Sequence, residues 1–174
     1  MFLDIGMRAP DALNTIKIDT RISMGVNVLC DLNKFPYPFK DSSFQTIRIW
    51  DYLEHLDDIV KVMEEVYRIL QPGGIFKIMV PHFSNVYAFT DPTHKHFFGF
   101  RTMDYFVTTT KYYALGYTTA KYEMIKTTIG FPGEAKGLKE FMLTVINKFP
   151  EYYERYFTFI FPASAIYCEL RAIK

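Results

Sequence analysis

Three of the chain's four histidines, His82, His94 and His96, fall within fifteen positions of one another, with Asp91 among them. Neutral imidazoles beside a carboxylate suit zinc or iron, so Asp91-x-x-His94-x-His96 has the makings of a metal site. The same residues could move a proton, because histidine titrates near neutral pH. A plain polar loop, with Asp91 capping a turn at Pro92-Thr93, accounts for them equally well. On the proton-transfer reading His82 and His94 are the catalytic or substrate-contacting candidates, and no metal is assigned. A second set is spread along the first half. Gly6, Asp19, Asp31, Asp51, His55 and His82 each follow a short apolar run. If those runs are parallel strands, these residues gather where ligands bind, at the carboxyl ends.

The elements that must position them can be read from periodicity. Phe2-Leu3-Asp4-Ile5 reads as a short buried strand ended by Gly6, and 15–19, 26–31 and 44–50 as three more. Pro36, Pro38 and the cluster 40–43 mark the loop between the last two. Residues 57–70 form the clearest helix, with Ile59, Met63, Val66 and Leu70 on one face. Asp57 and Asp58 suit its N-terminus. Pro72-Gly73-Gly74 stops it, and 75–80 resumes as a strand. Apolar strands joined by a helix imply a parallel sheet covered on its faces. Beyond Pro81 the pattern gives a strand over 121–129, a helix over 136–148, an aromatic segment over 151–161 and a last strand over 165–173.

Composition narrows the partners. With 20 basic and 19 acidic residues the net charge is +1, which offers no domain-scale basic patch for nucleic acid. No apolar run is long enough to span a membrane, and no secretory leader is visible. Cys30 and Cys168 lack metal-ligand spacing, so a reduced, cytoplasmic setting is expected. The 174 residues favour one domain, 1–174. The 17 Phe and 13 Tyr are concentrated after Phe76, as if the second half covers or lines an apolar pocket. For the run Tyr152 to Phe161 packing onto the domain is expected first and a homodimer interface second.

The order Leu3-Asp4-Ile5-Gly6, Ile18-Asp19, Cys30-Asp31-Leu32, Pro36-Tyr37-Pro38-Phe39, Leu53-Glu54-His55-Leu56 and Arg68-Ile69-Leu70-Gln71-Pro72-Gly73-Gly74 resembles the class I S-adenosylmethionine (SAM)-dependent methyltransferases. Within them it is similar to the small "methyltransferase type 11" group. The resemblance implies an α/β, Rossmann-like fold, mainly a parallel sheet flanked by helices, with an antiparallel strand near the C-terminus. It implies SAM as cofactor, held in a half of about 1–82, and a small-molecule acceptor met by a half of about 83–174. Gly6 would let the backbone approach the cofactor, Asp19 would take the ribose hydroxyls, and Asp31 and Leu32 would meet the adenine. Trp50 and Asp51 would lie near the methionine end, and His55 would fix a loop beside it. One departure stands out: Gly6-Met7-Arg8 replaces the family's Gly-x-Gly. Arg8 could bind the methionine carboxylate or close the site. A non-catalytic partner or regulatory subunit is therefore the alternative expectation.

Overall fold

Alternation of apolar and polar residues builds one seven-stranded sheet. The computed structural model describes residues 1–6, 15–22, 25–130 and 137–174, with Lys139 described by its backbone alone. Met7 and Arg8, and the first residue of the expected helix 136–148, lie outside these described residues. The strands are β1 (Phe2–Ile5), β2 (Thr15–Asp19), β3 (Val28–Leu29), β4 (Phe44–Trp50), β5 (Leu70–Pro81), β6 (Tyr122–Gly130) and β7 (Ala165–Ala172). Their order is β3-β2-β1-β4-β5-β7-β6. β1 to β5 pair in parallel, and β7 runs antiparallel to both β5 and β6. This is the expected fold class. The expected strand 26–31 shrinks to the two residues of β3.

One face of the sheet is apolar. Leu3 and Ile5, Ile47 and Ile49, Phe76, Ile78 and Val80, and Ile166, Cys168 and Leu170 are all buried there. Helix α1 (Ile59–Ile69) supplies Val62, Met63, Val66 and Ile69 to the same core. The other face differs from the apolar cover that the sequence pattern implies. Register places Lys17, Asp4, Arg48, Lys77, Glu169 and Lys126 side by side across six strands. Arg48 grips Asp4 with two bonds, Nε to Oδ1 at 2.6 Å and Nη2 to Oδ2 at 2.7 Å. Lys77 meets Glu169 at 3.2 Å.

α1 starts where the sequence provides a cap. The Asp58 carboxylate accepts from Lys61 N at 3.0 Å, and that bond is the main reason its carboxyl sits below the usual aspartate value. Asp58→Ala is expected to cost about 1 kcal/mol at neutral pH, read from the urea midpoint. A carboxyl lowered on folding stabilises above its unfolded value and loses that contribution as pH falls through the folded one. The gap between wild type and Asp58→Ala should therefore close on acidification below the carboxylate range. A gap that persists in acid would contradict the capping role.

The end of α1 and the proline loop are clamped together. Arg68 donates through Nε to Glu65 Oε2 at 2.9 Å and through Nη2 to Glu65 Oε1 at 2.6 Å. Its Nη1 reaches Asp41 Oδ1 at 2.6 Å and the Phe39 carbonyl at 2.9 Å. Glu65 Oε1 also accepts from Tyr37 N at 2.6 Å. The Glu65 carboxylate first, then Asp41, holds Arg68 more firmly protonated than a free guanidinium. β5 follows at once. Leu70 already pairs with Phe44, and Pro72-Gly73-Gly74 is an irregularity inside the paired strand. Gly73 has φ +74, which suits glycine at this turn.

After β5 come a short helix, α2 (Val86–Thr90), then a 3-10 turn at Thr102–Phe106 that brings Met103 and Phe106 to the core. Helices α3 (Leu138–Lys148) and α4 (Pro150–Tyr156) follow β6. Asn147 of α3 binds the outer edge of β6: Ile129 N donates to its Oδ1 at 2.7 Å, and its Nδ2 donates to Ile129 O at 3.0 Å. The aromatic segment departs from its expected packing. Tyr153 is buried, but Tyr152, Phe157, Phe159 and Phe161 are exposed. With Phe141 and Val145 of α3 and Phe149 between α3 and α4, several of these rings line an apolar groove of about 600 Å³. Among the described residues, no helix is long and apolar enough to cross a membrane.

Candidate functional site

The carboxyl ends of the parallel strands open into two adjoining clefts. The larger, about 780 Å³, is lined by Asp19 at the end of β2 and Thr20 just after it, by Asp51, Tyr52 and His55 after β4, and by Asp91 and Thr93 after α2. The second, about 550 Å³, holds Asp51, Glu54, Asp91 and His94 with Asn85 and Tyr87. Both volumes lie in the range of small-ligand sites, about 300 to 1,000 Å³. Asp51, Asp91 and Pro92 belong to both, so the two clefts share a wall. Asp51 has φ +46, an uncommon conformation for a non-glycine residue. Backbone held this way tends to mark functional positions.

Asp19 is nearly buried and sits at the floor of the larger cleft. Its Oδ1 accepts from Arg21 N at 2.9 Å and from Thr20 Oγ1 at 3.3 Å, which fixes the carboxylate's orientation. Gly6 ends β1 with φ +78, and its N–H donates to Ile18 O at 3.0 Å. The ring that approaches it is Tyr52, whose Cδ2 would stand 2.5 Å from an added Cβ. Tyr52 OH lies 3.1 Å from Thr20 Oγ1. The open side of Gly6 is thus filled by a tyrosine edge.

Other sequence candidates are placed elsewhere. Leu32 has no exposed surface and belongs to the core, so no adenine can reach its side chain as the protein stands. Asp31 turns to Lys34, 3.5 Å away, and to Asn33 N at 3.1 Å. Trp50 faces the charged side of the sheet, with the Arg48 guanidinium 5.5 Å from its ring centroid. It lines a depression with Lys77 and Glu169 rather than joining Asp51. Residues two apart in a strand share a face, so Trp50, the last residue of β4, lies with Arg48, while Asp51 leaves the strand with φ +46. His82 is fully buried, with Nδ1 2.8 Å from Ser84 Oγ and Nε2 3.0 Å from Glu154 Oε1. Its ring ties β5 to α4 and lines neither cleft.

The histidine cluster is re-sorted. His96 Nε2 lies 2.8 Å from Leu56 O, away from His94. His94 instead meets residues from the 3-10 turn Leu53–His55: its Nε2 is 3.9 Å from Glu54 Oε1, and its ring centroid is 4.7 Å from that of His55. Asp91 Oδ2 is also 3.9 Å from His94 Nε2. The Thr93 hydroxyl and then its N–H hold the Asp91 carboxyl below its ordinary value. Glu54, nearly fully buried, is the member that sequence reasoning missed. Its signal was an acid set between Leu53 and Leu56, in a turn that had to be buried.

Residues 11–78 match the family profile described as a methyltransferase domain. A C-methyltransferase of ubiquinone and menaquinone biosynthesis, UbiE from Desulfotalea psychrophila, is 44% identical over 46 residues. That stretch is 26% of this chain and only 18% of that relative's length. In three dimensions the chain is similar to a SAM-dependent methyltransferase from Archaeoglobus fulgidus, with TM-score 0.61 at 18% identity over 98% of this chain and 85% of the other. It is also similar to the YcgJ protein of Bacillus subtilis, with TM-score 0.58 at 14% identity over 99% and 91% of the two chains. Identities this low speak for the fold alone. The sheet order and these likenesses together show that the chain has the class I methyltransferase fold, with residues 11–78 matching a methyltransferase domain.

Proposed function

We propose that the chain transfers a methyl group from SAM to a small, polar acceptor. The observation that carries this reading is the pair of joined clefts at the strand ends, with Asp19 in one and Asp51 in their common wall. SAM is the cofactor expected of this family, and when bound it supplies an electrophilic methyl. Asp19 fits its ribose end, because a fixed, nearly buried carboxylate is a strong acceptor for two hydroxyls. The adenine contacts expected of Asp31 and Leu32 do not open onto this cleft. The adenine end is therefore assigned to Thr20, Arg21 and Ile22 along the same wall.

The acceptor lies in the second cleft, before Asp51, Asp91 and His94. Direct displacement needs no protein nucleophile, so the protein's main task is to hold the partners in line. The cofactor half, about 1–82, and the acceptor half, about 83–174, thus meet along the shared wall.

Calorimetric titration with SAM and S-adenosylhomocysteine tests the reading. Wild type is expected to bind with micromolar affinity. Asp19→Ala should bind about 10- to 100-fold more weakly, the loss of charge-assisted hydrogen bonds worth about 1.5 to 3 kcal/mol. An absence of binding by wild type at millimolar ligand would overturn the proposal.

A further inference from the structure

The geometry points to a site for one divalent transition-metal cation of the zinc class, held by Glu54, His55 and His94. Donor atoms of Glu54, His55 and His94 all lie within 4.8 Å of one another. Two imidazoles and a carboxylate form a donor set suited to zinc and neighbouring metals. Zinc–ligand bonds of about 2.0 to 2.2 Å at tetrahedral angles put donors roughly 3.3 Å apart. The 3.9 Å separation of His94 Nε2 from Glu54 Oε1 needs only a small inward movement.

The surrounding hydrogen bonds orient the rings. His94 Nδ1 lies 2.9 Å from Ala88 O, and a carbonyl can only accept, so Nδ1 carries a proton and the neutral ring has its lone pair on Nε2. The Thr93 hydroxyl donates its one hydrogen to Asp91 Oδ1 at 2.6 Å. It must therefore accept from His55 Nδ1, 2.9 Å away, which leaves the His55 lone pair on Nε2. Metal-binding histidines are commonly oriented in this way, by donating the other ring N–H to a carbonyl or a carboxylate-linked group. The two segments already touch, because Lys95 N donates to Glu54 O at 2.8 Å.

The cation ties the turn after β4 to the loop after α2 and stiffens the wall between the clefts. His94 Nε2 is then a ligand and not a base, which leaves Asp51 and Asp91 as the acceptor-facing carboxylates. The inference rests on the geometry of the cluster and is independent of the cofactor reading, so its test contains no SAM.

The test uses the chain with any polyhistidine tag removed. Zinc titration by calorimetry is expected to give one site per chain and a raised Tm. His94→Ala and Glu54→Gln should each weaken zinc about ten-fold or more. His96→Gln should leave zinc affinity unchanged, because the His96 ring bonds to Leu56 O and is not a member of the cluster. Cobalt(II) on the wild-type chain should give intensified visible absorption and two hyperfine-shifted ring N–H proton resonances. If His94→Ala does not fold, this wild-type spectrum decides alone. Absence of saturable zinc binding, zinc binding equal in His94→Ala and wild type, or a cobalt spectrum lacking the two N–H resonances would overturn the site.

Discussion

Replacing Arg68 by methionine is expected to lower stability by about 3 kcal/mol, toward the low end of what breaking a buried ion pair costs. Glu65 is 8% exposed and Arg68 carries two of its hydrogen bonds. Methionine keeps much of the side chain's bulk but leaves that carboxylate, among the described residues, with the Tyr37 N–H as its donor. The carbonyls of Phe39 and Tyr37 lose their guanidinium donor in the same step. The Arg68 side chain is 28% exposed, so water can replace part of the loss, which is why the estimate stays low. For a chain of this size about 3 kcal/mol corresponds to a fall in Tm of roughly 6 to 12 °C. Arg68→Met combined with Glu65→Met should recover part of it, because the uncompensated charge is gone. A single variant that loses less than about 1 kcal/mol would place the clamp among ordinary surface ion pairs.

Gly6→Ala is the second large effect, expected at about 2 to 4 kcal/mol. Two terms add. The left-handed φ of +78 costs an L-residue about 1 kcal/mol or more. The new Cβ also stands 2.5 Å from Tyr52 Cδ2 and 2.9 Å from Cγ, well inside the carbon contact distance of about 3.5 Å. Relieving such overpacking costs about 1 to 3 kcal/mol. Swinging Tyr52 aside breaks its contact with Thr20. The double variant Gly6→Ala/Tyr52→Ala separates the terms, since measured against Tyr52→Ala it retains only the backbone cost. Urea unfolding of the four chains makes the cycle. Equal costs of Gly6→Ala with and without Tyr52 would show that the ring is not what the glycine accommodates.

How far the sequence discloses this arrangement depends on which contacts are local. The β1, β2, β4 and β5 strands and α1 announce themselves by period, so Asp19 and Asp51 can be placed at strand ends without coordinates. Trp50 cannot be, because its assignment turns on which face of β4 it occupies, and one position reverses that. Leu32 follows an Asp in a polar-looking stretch, yet it is sealed by Tyr37, whose hydroxyl donates to its carbonyl at 3.0 Å. Asp91-x-x-His94-x-His96 suggests a shared site by spacing alone. The segment is not a regular strand, and its two histidines find different partners, Ala88 and Leu56. Glu54 meets His94 across 40 positions of sequence, and no local pattern encodes that pairing.

The amide of Asn147 has a consequence for the fate of the chain in concentrated solution. It presents to Ile129 one acceptor and one donor, the pair that an incoming strand would offer. The place where a neighbouring molecule could begin to add its own backbone is already taken by a side chain. At the opposite margin β3 provides only two residues of template. Fibril growth requires a long, unoccupied ladder, and both margins of this sheet are blunted against it.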